Sequence, residues 1–179
     1  SWKEFNMSKE LMYENRSLII MIGGIASGKS YYANKFYVKT HQLISEQHLD
    51  ASLSIENDSS LAEKKYAIFT IIARALMLRG LPIVIDERNL DIESIYIWKK
   101  LAITFDYSIK GVIFDTPKEI CLRRIKEMIN DEIPERIYKT LNEEREKLDE
   151  LLTILKMKHQ KLLENFIIVP YGGEKNEVL

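Results

Sequence analysis

The residues Gly23-Gly-Ile-Ala-Ser-Gly28-Lys29-Ser30 fit the spacing G-x-x-x-x-G-K-[ST], between a short apolar run and a segment that favours a helix. Glycines in such a loop let successive backbone N–H groups turn inward around an anion, and the following helix directs its positive dipole end at the same place. This is the chemistry of a polyphosphate site, in which Lys29 reaches the β and γ phosphates and the Ser30 hydroxyl ligates Mg²⁺. We expect the anion to be bound by Gly24, Ile25, Ala26, Ser27, Gly28, Lys29 and Ser30.

A triphosphate site alone leaves the reaction open between a phosphotransferase, a motor ATPase and a GTPase switch. The guanine-reading sequence N-K-x-D, which a GTPase normally carries, is absent from the sequence. A motor ATPase normally requires a module larger than 179 residues. The small size therefore favours a kinase that acts on a small or flexible acceptor.

Asp86 follows Ile83-Val-Ile at the carboxyl end of a predicted strand, where ligands bind in open α/β sheets. We interpret this carboxylate as a group of the magnesium site or a contact to the acceptor. The alternative is an acid that only caps the turn into the next helix. Glu87, Arg88 and Asn89 extend the polar cluster, and Arg88 either holds an acceptor phosphate or is simply solvated.

Arg123 and Arg124 follow a predicted strand end at Asp115 by at least one helical turn. A planar guanidinium suits the charge that phosphoryl transfer spreads over three equatorial oxygens, so one of the two is a candidate catalytic arginine. Because adjacent helical residues cannot both face the site, the alternative is a surface pair on an amphipathic helix.

A kinase that phosphorylates a hydroxyl normally needs a carboxylate to orient that group and accept its proton. Glu46 directly follows the predicted strand over residues 42–45 and is the first candidate for this base, and Asp50 is the second. The alternative is that both belong to a solvated polar loop after this strand, and residues 47–59 are predicted to form a loop.

Short apolar runs alternate with helical patterns along the chain, which predicts a mostly parallel sheet covered by helices on both faces. One helix is predicted to begin at the capping box Ser60–Glu63 and to end at Gly80. Its apolar face is predicted to consist of Leu61, Ile68, Ile71, Ile72, Ala75 and Leu76. Another is predicted to begin with Thr116 as its N-cap. The remaining predicted helices cover residues 29–39, 91–102 and 134–163, and the predicted strands cover 17–23, 42–45, 82–86, 107–115 and 166–169.

The composition is that of a globular protein, with 46% hydrophobic and 30% charged residues in a chain of 179. We expect one domain over residues 1–179, with residues 1–15 as an N-terminal arm.

The net charge of −1 confines any nucleic-acid contact to a local patch. The single Cys121 excludes an internal disulfide framework, and with no Cys/His cluster a structural zinc site is not expected, which favours a reducing cytoplasm. No signal peptide or membrane span is expected, since the longest apolar run, residues 18–26, is short.

Four segments resemble the 5′-polynucleotide kinase group of P-loop kinases: GGIASGKS, VIDERNLD, GVIFDTPKEICLRRIK and EIPERIYKTLNEE, in this order over about residues 17–145. The phosphate loop is common to many NTPases, whereas D-x-x-N-L and D-x-P-x-E-x-C-x-x-R followed by I-P-E are more specific. The resemblance implies a three-layer P-loop NTPase fold with five strands and a helical lid, about residues 117–145, and ATP with Mg²⁺ as the donor. It also implies that Asp86 lies beside the acceptor, that Asn89 belongs to the acceptor-side loop, and that Arg124 is the lid arginine.

The acceptor half departs from the pattern of that family. Its second strand ends in an acid followed three residues later by an arginine, and the corresponding residues here are Gln47 and Asp50. A shift of one residue restores an acid at Glu46 but no arginine. Ile125 and Met128 stand where the family has an asparagine and a second lid arginine.

The sequence therefore predicts an ATP-dependent kinase with Lys29, Asp86, Arg124 and Glu46 as catalytic residues and with Ser30 and Asp86 at the metal. The 5′-OH end of a nucleic acid is the first candidate for the acceptor, and no membrane partner is expected. The alternatives are a kinase for a nucleoside, a modified base or another small metabolite, and a nucleotide-binding module without turnover. The oligomeric state is left open.

Overall fold

Five parallel strands form one sheet in the computed structural model, which describes residues 15–53 and 64–169. The capping box predicted at Ser60 and Glu63 and nearly all of the predicted arm lie outside the described residues. The strand order is β2-β3-β1-β4-β5, which confirms the predicted parallel α/β sheet. The strands are β1 (Ser17–Ile22), β2 (Gln42–Ser45), β3 (Ile83–Asp86), β4 (Ser108–Phe114) and β5 (Phe166–Val169).

Helices connect successive strands and lie on both faces of the sheet. Because β1 is central, with β3 on one side and β4 on the other, its carboxyl end is at the centre of the edge where such sheets bind ligands. The helices are α1 (Lys29–Phe36), α2 (Glu46–Leu53), α3 (Lys65–Leu78), α4 (Ile92–Phe105), α5 (Lys118–Ile129), α6 (Glu135–Lys158) and α7 (Gln160–Leu163).

Alternate residues of the strands pack into two separate apolar clusters, one on each face of the sheet. On one face, strand residues such as Ile20 and Ile85 pack with Phe69 of α3, Trp98 of α4 and Leu151 of α6. On the other face, a smaller cluster of strand residues packs around Ala33 of α1, with Tyr32 and Tyr37 at its margin. The two clusters account for the predicted three layers.

A third, small apolar cluster joins α5 and α6 to the phosphate loop. Cys121 and Ile125 of α5 pack with Leu141 of α6, and Ile25 and Ala26 of the loop lie against them. The region predicted as a lid is thus attached to the loop by its own contacts, apart from the main core.

Residues 46–53 form helix α2, so the prediction of a loop beginning at residue 47 is wrong for its described part. The Ser45 hydroxyl accepts a hydrogen bond from the backbone N–H of His48 at 3.4 Å, as an N-cap residue does. Glu46 places a negative charge in the first turn, where the helix dipole favours it, and Leu49 packs against the main core.

The predicted apolar face of α3 is only in part the face that packs on the core, where Leu76 contacts the main cluster. Phe69, Ala73 and Met77, one turn apart, are the buried residues, whereas Ile71 is 66% exposed and Ile72 36% exposed. The helix carries apolar residues on more than one side, and the small Ala73 lets the helix approach the core along the chosen row. Periodicity alone does not identify the buried row in such a helix.

Two predicted helix boundaries differ from the structure. Pro117, rather than Thr116, is the N-cap of α5, and its carbonyl accepts from the backbone N–H groups of Ile120 and Cys121. The Thr116 hydroxyl donates a hydrogen bond to the Ser27 carbonyl at 2.8 Å. The last predicted helix is divided at His159, whose ψ of 42° ends α6 before α7 begins. Among the described residues, no helix combines the length and apolar character needed to span a membrane.

Asn89 fixes the backbone that follows β3. Its side chain is 1% exposed and donates to the carbonyl of Met21 at 2.8 Å, and its Oδ1 accepts from Trp98 Nε1 at 3.0 Å. The residue has a φ of 49°, a left-handed conformation that asparagine tolerates better than most residues. One side chain thus ties the loop after β3 to β1 and to α4.

We expect Asn89→Ala to lower the free energy of unfolding by about 2–4 kcal/mol, because it leaves a buried indole N–H and a carbonyl without their partner. Asn89→Gly, which relieves the strain at positive φ, should lose somewhat less. Urea denaturation followed by circular dichroism measures both. An unchanged midpoint in both variants would contradict the assigned role.

Candidate active site

The loop between β1 and α1 is fixed by hydrogen bonds from several other elements. The backbone N–H of Gly23 donates to the carbonyl of Arg88 at 3.0 Å, and the Ser27 carbonyl accepts from Thr116 at 2.8 Å. Gly28 has a φ of 105°, where a side chain is strained, and a Cβ on Gly23 would lie 2.6 Å from Ser27 Oγ. The glycines at both positions are therefore required by the shape of the loop.

Lys29 is held inside this loop. Its ammonium group donates a hydrogen bond to the carbonyl of Gly24 at 2.7 Å. Burial lowers the pKa of Lys29, and the negative charges of Asp86 and Glu144 partly oppose that change. The loop thus holds the Lys29 ammonium group next to backbone amides. A polyphosphate that entered the loop would stabilise this positive charge.

Ser30 and Asp86 come together at the edge of the sheet. The Ser30 hydroxyl, at the start of α1, donates to Asp86 Oδ2 at 2.8 Å, and Asp86 is the last residue of β3. A hydroxyl and a carboxylate are hard oxygen ligands of the kind that Mg²⁺ prefers. In the part of the chain that the structure describes, no group of three His, Cys, Asp or Glu side chains forms a complete metal site. The pair fits a magnesium ion that takes its other ligands from phosphate and water.

Arg124 reaches the loop from α5. Its Nη1 atom donates to the carbonyl of Ala26 at 3.0 Å, and the side chain is partly buried, whereas Arg123 is exposed. Ala26 has a φ of 55°, a left-handed conformation within the loop. The geometry thus distinguishes the two adjacent arginines that the sequence left as alternatives.

Glu46 lies at the end of the strand next to β3. Ser45, the preceding residue, pairs with Asp86 in the parallel sheet, so the two carboxylates project from neighbouring strand ends. Lys65 Nζ contacts Glu46 Oε1 at 2.9 Å and Asp50 Oδ1 at 3.0 Å. The two predicted candidate bases therefore share one lysine from α3, which the sequence analysis did not identify.

Glu144 is a second residue that the sequence analysis missed. It lies on α6 with 7% exposure, and both carboxylate oxygens accept from the backbone N–H of Ile25, at 3.2 and 3.3 Å. The approach is so close that a Cβ on Gly24 would lie 3.0 Å from Glu144 Oε2. A signal existed, because Glu144 falls three residues after Leu141 and four before Leu148, on the buried apolar row of α6.

Glu87, the residue after Asp86, is a buried acid. It is 6% exposed, and burial, followed by the negative charge of Glu46, raises its pKa to about 7. Its Oε2 atom has no hydrogen-bond partner among the described residues. The positive charges of Lys65 and Arg88 partly offset this rise in the pKa of Glu87.

Solved structures with low sequence identity share this fold. A putative kinase from Chloroflexus aurantiacus j-10-fl is similar with a TM-score of 0.59 and 11% identity, over 71% of this chain and 78% of that chain. A gluconokinase from Sinorhizobium meliloti 1021 is similar with a TM-score of 0.58 and 16% identity, over 87% of this chain and 82% of that one. A chain of the Pnkp1/Rnl/Hen1 RNA repair complex is similar with a TM-score of 0.60 and 18% identity, over 76% of this chain and 45% of that one.

Comparison of the amino-acid sequence with known families shows the family of this chain. No curated protein matches the chain. Residues 18–151, which include the whole loop, Asp86, Arg124 and Glu144, match the AAA domain family AAA_33. Because this match extends over most of the chain, the protein belongs to that AAA domain family, and its fold is an α/β fold of the P-loop NTPase type.

Proposed function

We propose that the protein is an ATP-dependent kinase that transfers the γ-phosphate to a hydroxyl group, with the 5′-OH end of a nucleic acid as the first candidate acceptor. The observation that carries the proposal is the meeting of three groups at adjacent strand ends. They are the phosphate loop after β1, the Ser30–Asp86 pair at β3 and the Glu46 carboxylate at β2. Each corresponds to one requirement of phosphoryl transfer: donor, metal and base.

The donor side binds the triphosphate through the backbone amides of residues Gly24, Ile25, Ala26, Ser27, Gly28, Lys29 and Ser30. Lys29 then exchanges the Gly24 carbonyl for phosphate oxygens. Ser30 and Asp86 would hold a magnesium ion, which would supply positive charge against the phosphates. Arg124 binds the transferring group from α5. Positioning and charge neutralisation thereby supply most of the rate acceleration.

On the acceptor side, Glu46 orients the hydroxyl and takes its proton. The acceptor oxygen forms a bond to the γ-phosphorus as the bond from that phosphorus to the β–γ bridging oxygen breaks, and ADP leaves. Lys65 holds the Glu46 carboxylate in place through an ion pair at 2.9 Å. A carboxylate in this position supports a kinase over a nucleotide-binding module without turnover.

The region of residues 117–145 acts as a lid within a single domain. The small cluster around Cys121, Ile125 and Leu141 supports this assignment, because it joins α5 and α6 to the loop. Movement of these helices would change the positions of Arg124 and the loop together.

The preference for a nucleic-acid end rests on the resemblance of four segments to 5′-polynucleotide kinases and on the fold shared with a chain of an RNA repair complex. The net charge of −1 agrees with a contact limited to the end of the strand. A gluconokinase shares the same fold, so a small hydroxyl compound is the second candidate.

A panel of acceptors tests the acceptor class. Labelled ATP is supplied with 5′-OH DNA, 5′-OH RNA, nucleosides, gluconate and no acceptor, and we expect label on the 5′-OH ends. Transfer only to a small molecule would contradict the nucleic-acid assignment and keep the kinase. Absence of transfer to every acceptor would contradict the kinase assignment.

Lys29→Ala should lower ATP turnover by at least about 100-fold, because it removes the cation that neutralises the β and γ phosphates. The melting temperature should hardly change, since the loop is fixed mainly by backbone hydrogen bonds and by Thr116. Lys39→Ala, at an exposed position beyond α1, is the matched control. Equal turnover in the two variants would contradict the assigned role of Lys29 in ATP turnover.

Arg124→Ala should lower kcat by at least about 10-fold, because charge on the transferring group loses a guanidinium partner. Arg123→Ala serves as the control, since Arg123 is the exposed neighbour on the same helix. Steady-state kinetics on both variants decides between them. The assignment fails when both substitutions change kcat equally.

Glu46→Gln should lower kcat by about 10²–10⁴-fold with little change in ATP affinity, because it removes a base and keeps the side-chain shape. Asp50→Asn is the comparison, since Asp50 contacts the same lysine. A larger loss in Asp50→Asn than in Glu46→Gln would transfer the role of base to Asp50.

A further inference from the structure

Arg88 lies between the two halves of the candidate site. Its Nη1 atom is 3.6 Å from Glu144 Oε2, and its Nε atom is 3.8 Å from Glu46 Oε2. Glu144 accepts from the backbone N–H of Ile25 in the phosphate loop, and Glu46 is the proposed base on the acceptor side. One guanidinium thus faces both the donor loop and the acceptor carboxylate.

The backbone that carries this side chain is fixed on two sides. The Arg88 carbonyl accepts from the backbone N–H of Gly23 at 3.0 Å, and the next residue is Asn89, with its buried hydrogen bonds to Met21 and Trp98. The Arg88 side chain itself is 42% exposed. The position of its Cα is therefore set by the loop, whereas its guanidinium is able to change partners.

Both ion contacts of Arg88 are longer than the 2.7–3.2 Å range of an N–H···O hydrogen bond. Partly exposed ion pairs of this kind contribute little to stability. A guanidinium has five N–H donors in a planar fork, and within residues 15–53 and 64–169 none of those on Arg88 makes a short contact. Its donors are accordingly available to an anionic group that enters between the two carboxylates.

We propose that Arg88 is a second catalytic arginine, which binds the transferring phosphoryl group from the β3 side while Arg124 binds it from α5. This inference rests on the proposed kinase function. As the bond from the γ-phosphorus to the bridging oxygen breaks and the bond to the acceptor oxygen forms, negative charge spreads over three equatorial oxygens. Two arginines on different elements stabilise more of those oxygens than one arginine does.

The contacts favour the transferring group over an anionic group of the acceptor. An arginine that only clamps the acceptor would face away from the loop, whereas Arg88 contacts Glu144 and is bonded through its carbonyl to Gly23.

The test compares two ligands in Arg88→Ala, Arg88→Lys and the wild-type protein. The first is a non-hydrolysable ATP analogue with Mg²⁺, which resembles the ground state. The second is ADP with aluminium fluoride and Mg²⁺, which resembles the transferring phosphoryl group. Arg74→Ala is the control, because Arg74 is an exposed arginine in the middle of α3, away from the loop.

We expect Arg88→Ala to weaken binding of the aluminium fluoride complex by at least about 10-fold and to leave the affinity for the ATP analogue within about threefold. Arg88→Lys should show an intermediate loss, because an ammonium keeps the charge and lacks the planar fork. The melting temperature should match that of Arg74→Ala, since the Arg88 carbonyl is retained in every variant. If Arg88→Ala does not fold, the affinities for the two nucleotide complexes are compared in Arg88→Lys instead.

Equal loss for the two ligands, or no loss for either, would overturn the role of Arg88 while the kinase assignment stands. A rise only in the KM for a 5′-OH oligonucleotide, with the aluminium fluoride affinity unchanged, would also overturn it and make Arg88 an acceptor clamp. Failure of the wild-type protein to bind either nucleotide complex would contradict the proposed function itself, and the inference with it.

Discussion

The site depends on one constraint: the backbone of the phosphate loop has to stay open to an anion while its own polar groups are satisfied from outside. Arg88 supplies a carbonyl to Gly23, Thr116 supplies a hydroxyl to Ser27, and Arg124 supplies an N–H to Ala26. Buried backbone groups without partners are costly, so each of these bonds stabilises a loop conformation that the loop residues alone would not keep. The elements that hold the loop are also those that carry the candidate catalytic side chains.

Charge is balanced in the same way around the loop. Lys29 is half-buried near the negative charges of Asp86 and Glu144, and Glu46 is paired with Lys65 and lies near Arg88. A buried charge is tolerated when partners of opposite sign compensate for the loss of water. Entry of a triphosphate with magnesium would replace some of these internal pairs with ligand contacts. The cations would then already lie at the positions in which they contact the ligand.

Local sequence pattern predicted the five strands and the position of the loop, whereas the roles of Ser30 and Asp86 at a metal stay predictions. The spacing of glycine, lysine and serine in the loop is one that few other structures require. The residues beside β2 and β5 do not favour a strand, so the ends of these two strands were predictable. The stripe of leucines on α6 was also predictable, because a long helix with one apolar row has a single face to bury.

Other features depend on contacts that sequence spacing does not contain. The apolar residues of α3 fit more than one buried row, and only the core selects Phe69, Ala73 and Met77. Thr116 has the side chain of an N-cap, yet the loop carbonyl of Ser27 competes for its hydroxyl. Lys65 is distant in sequence from Glu46, and Glu144 is a polar residue on an apolar row whose partner lies 119 residues away.

The central claim is that the loop binds the phosphates of ATP together with magnesium. Isothermal titration calorimetry of the wild-type protein with a non-hydrolysable ATP analogue tests this most directly, in the presence of Mg²⁺ and then with the metal removed by a chelator. The account predicts saturable uptake of one nucleotide per chain that weakens markedly when the metal is removed. An absence of binding heat at every nucleotide concentration, with the protein shown to be folded, would contradict it.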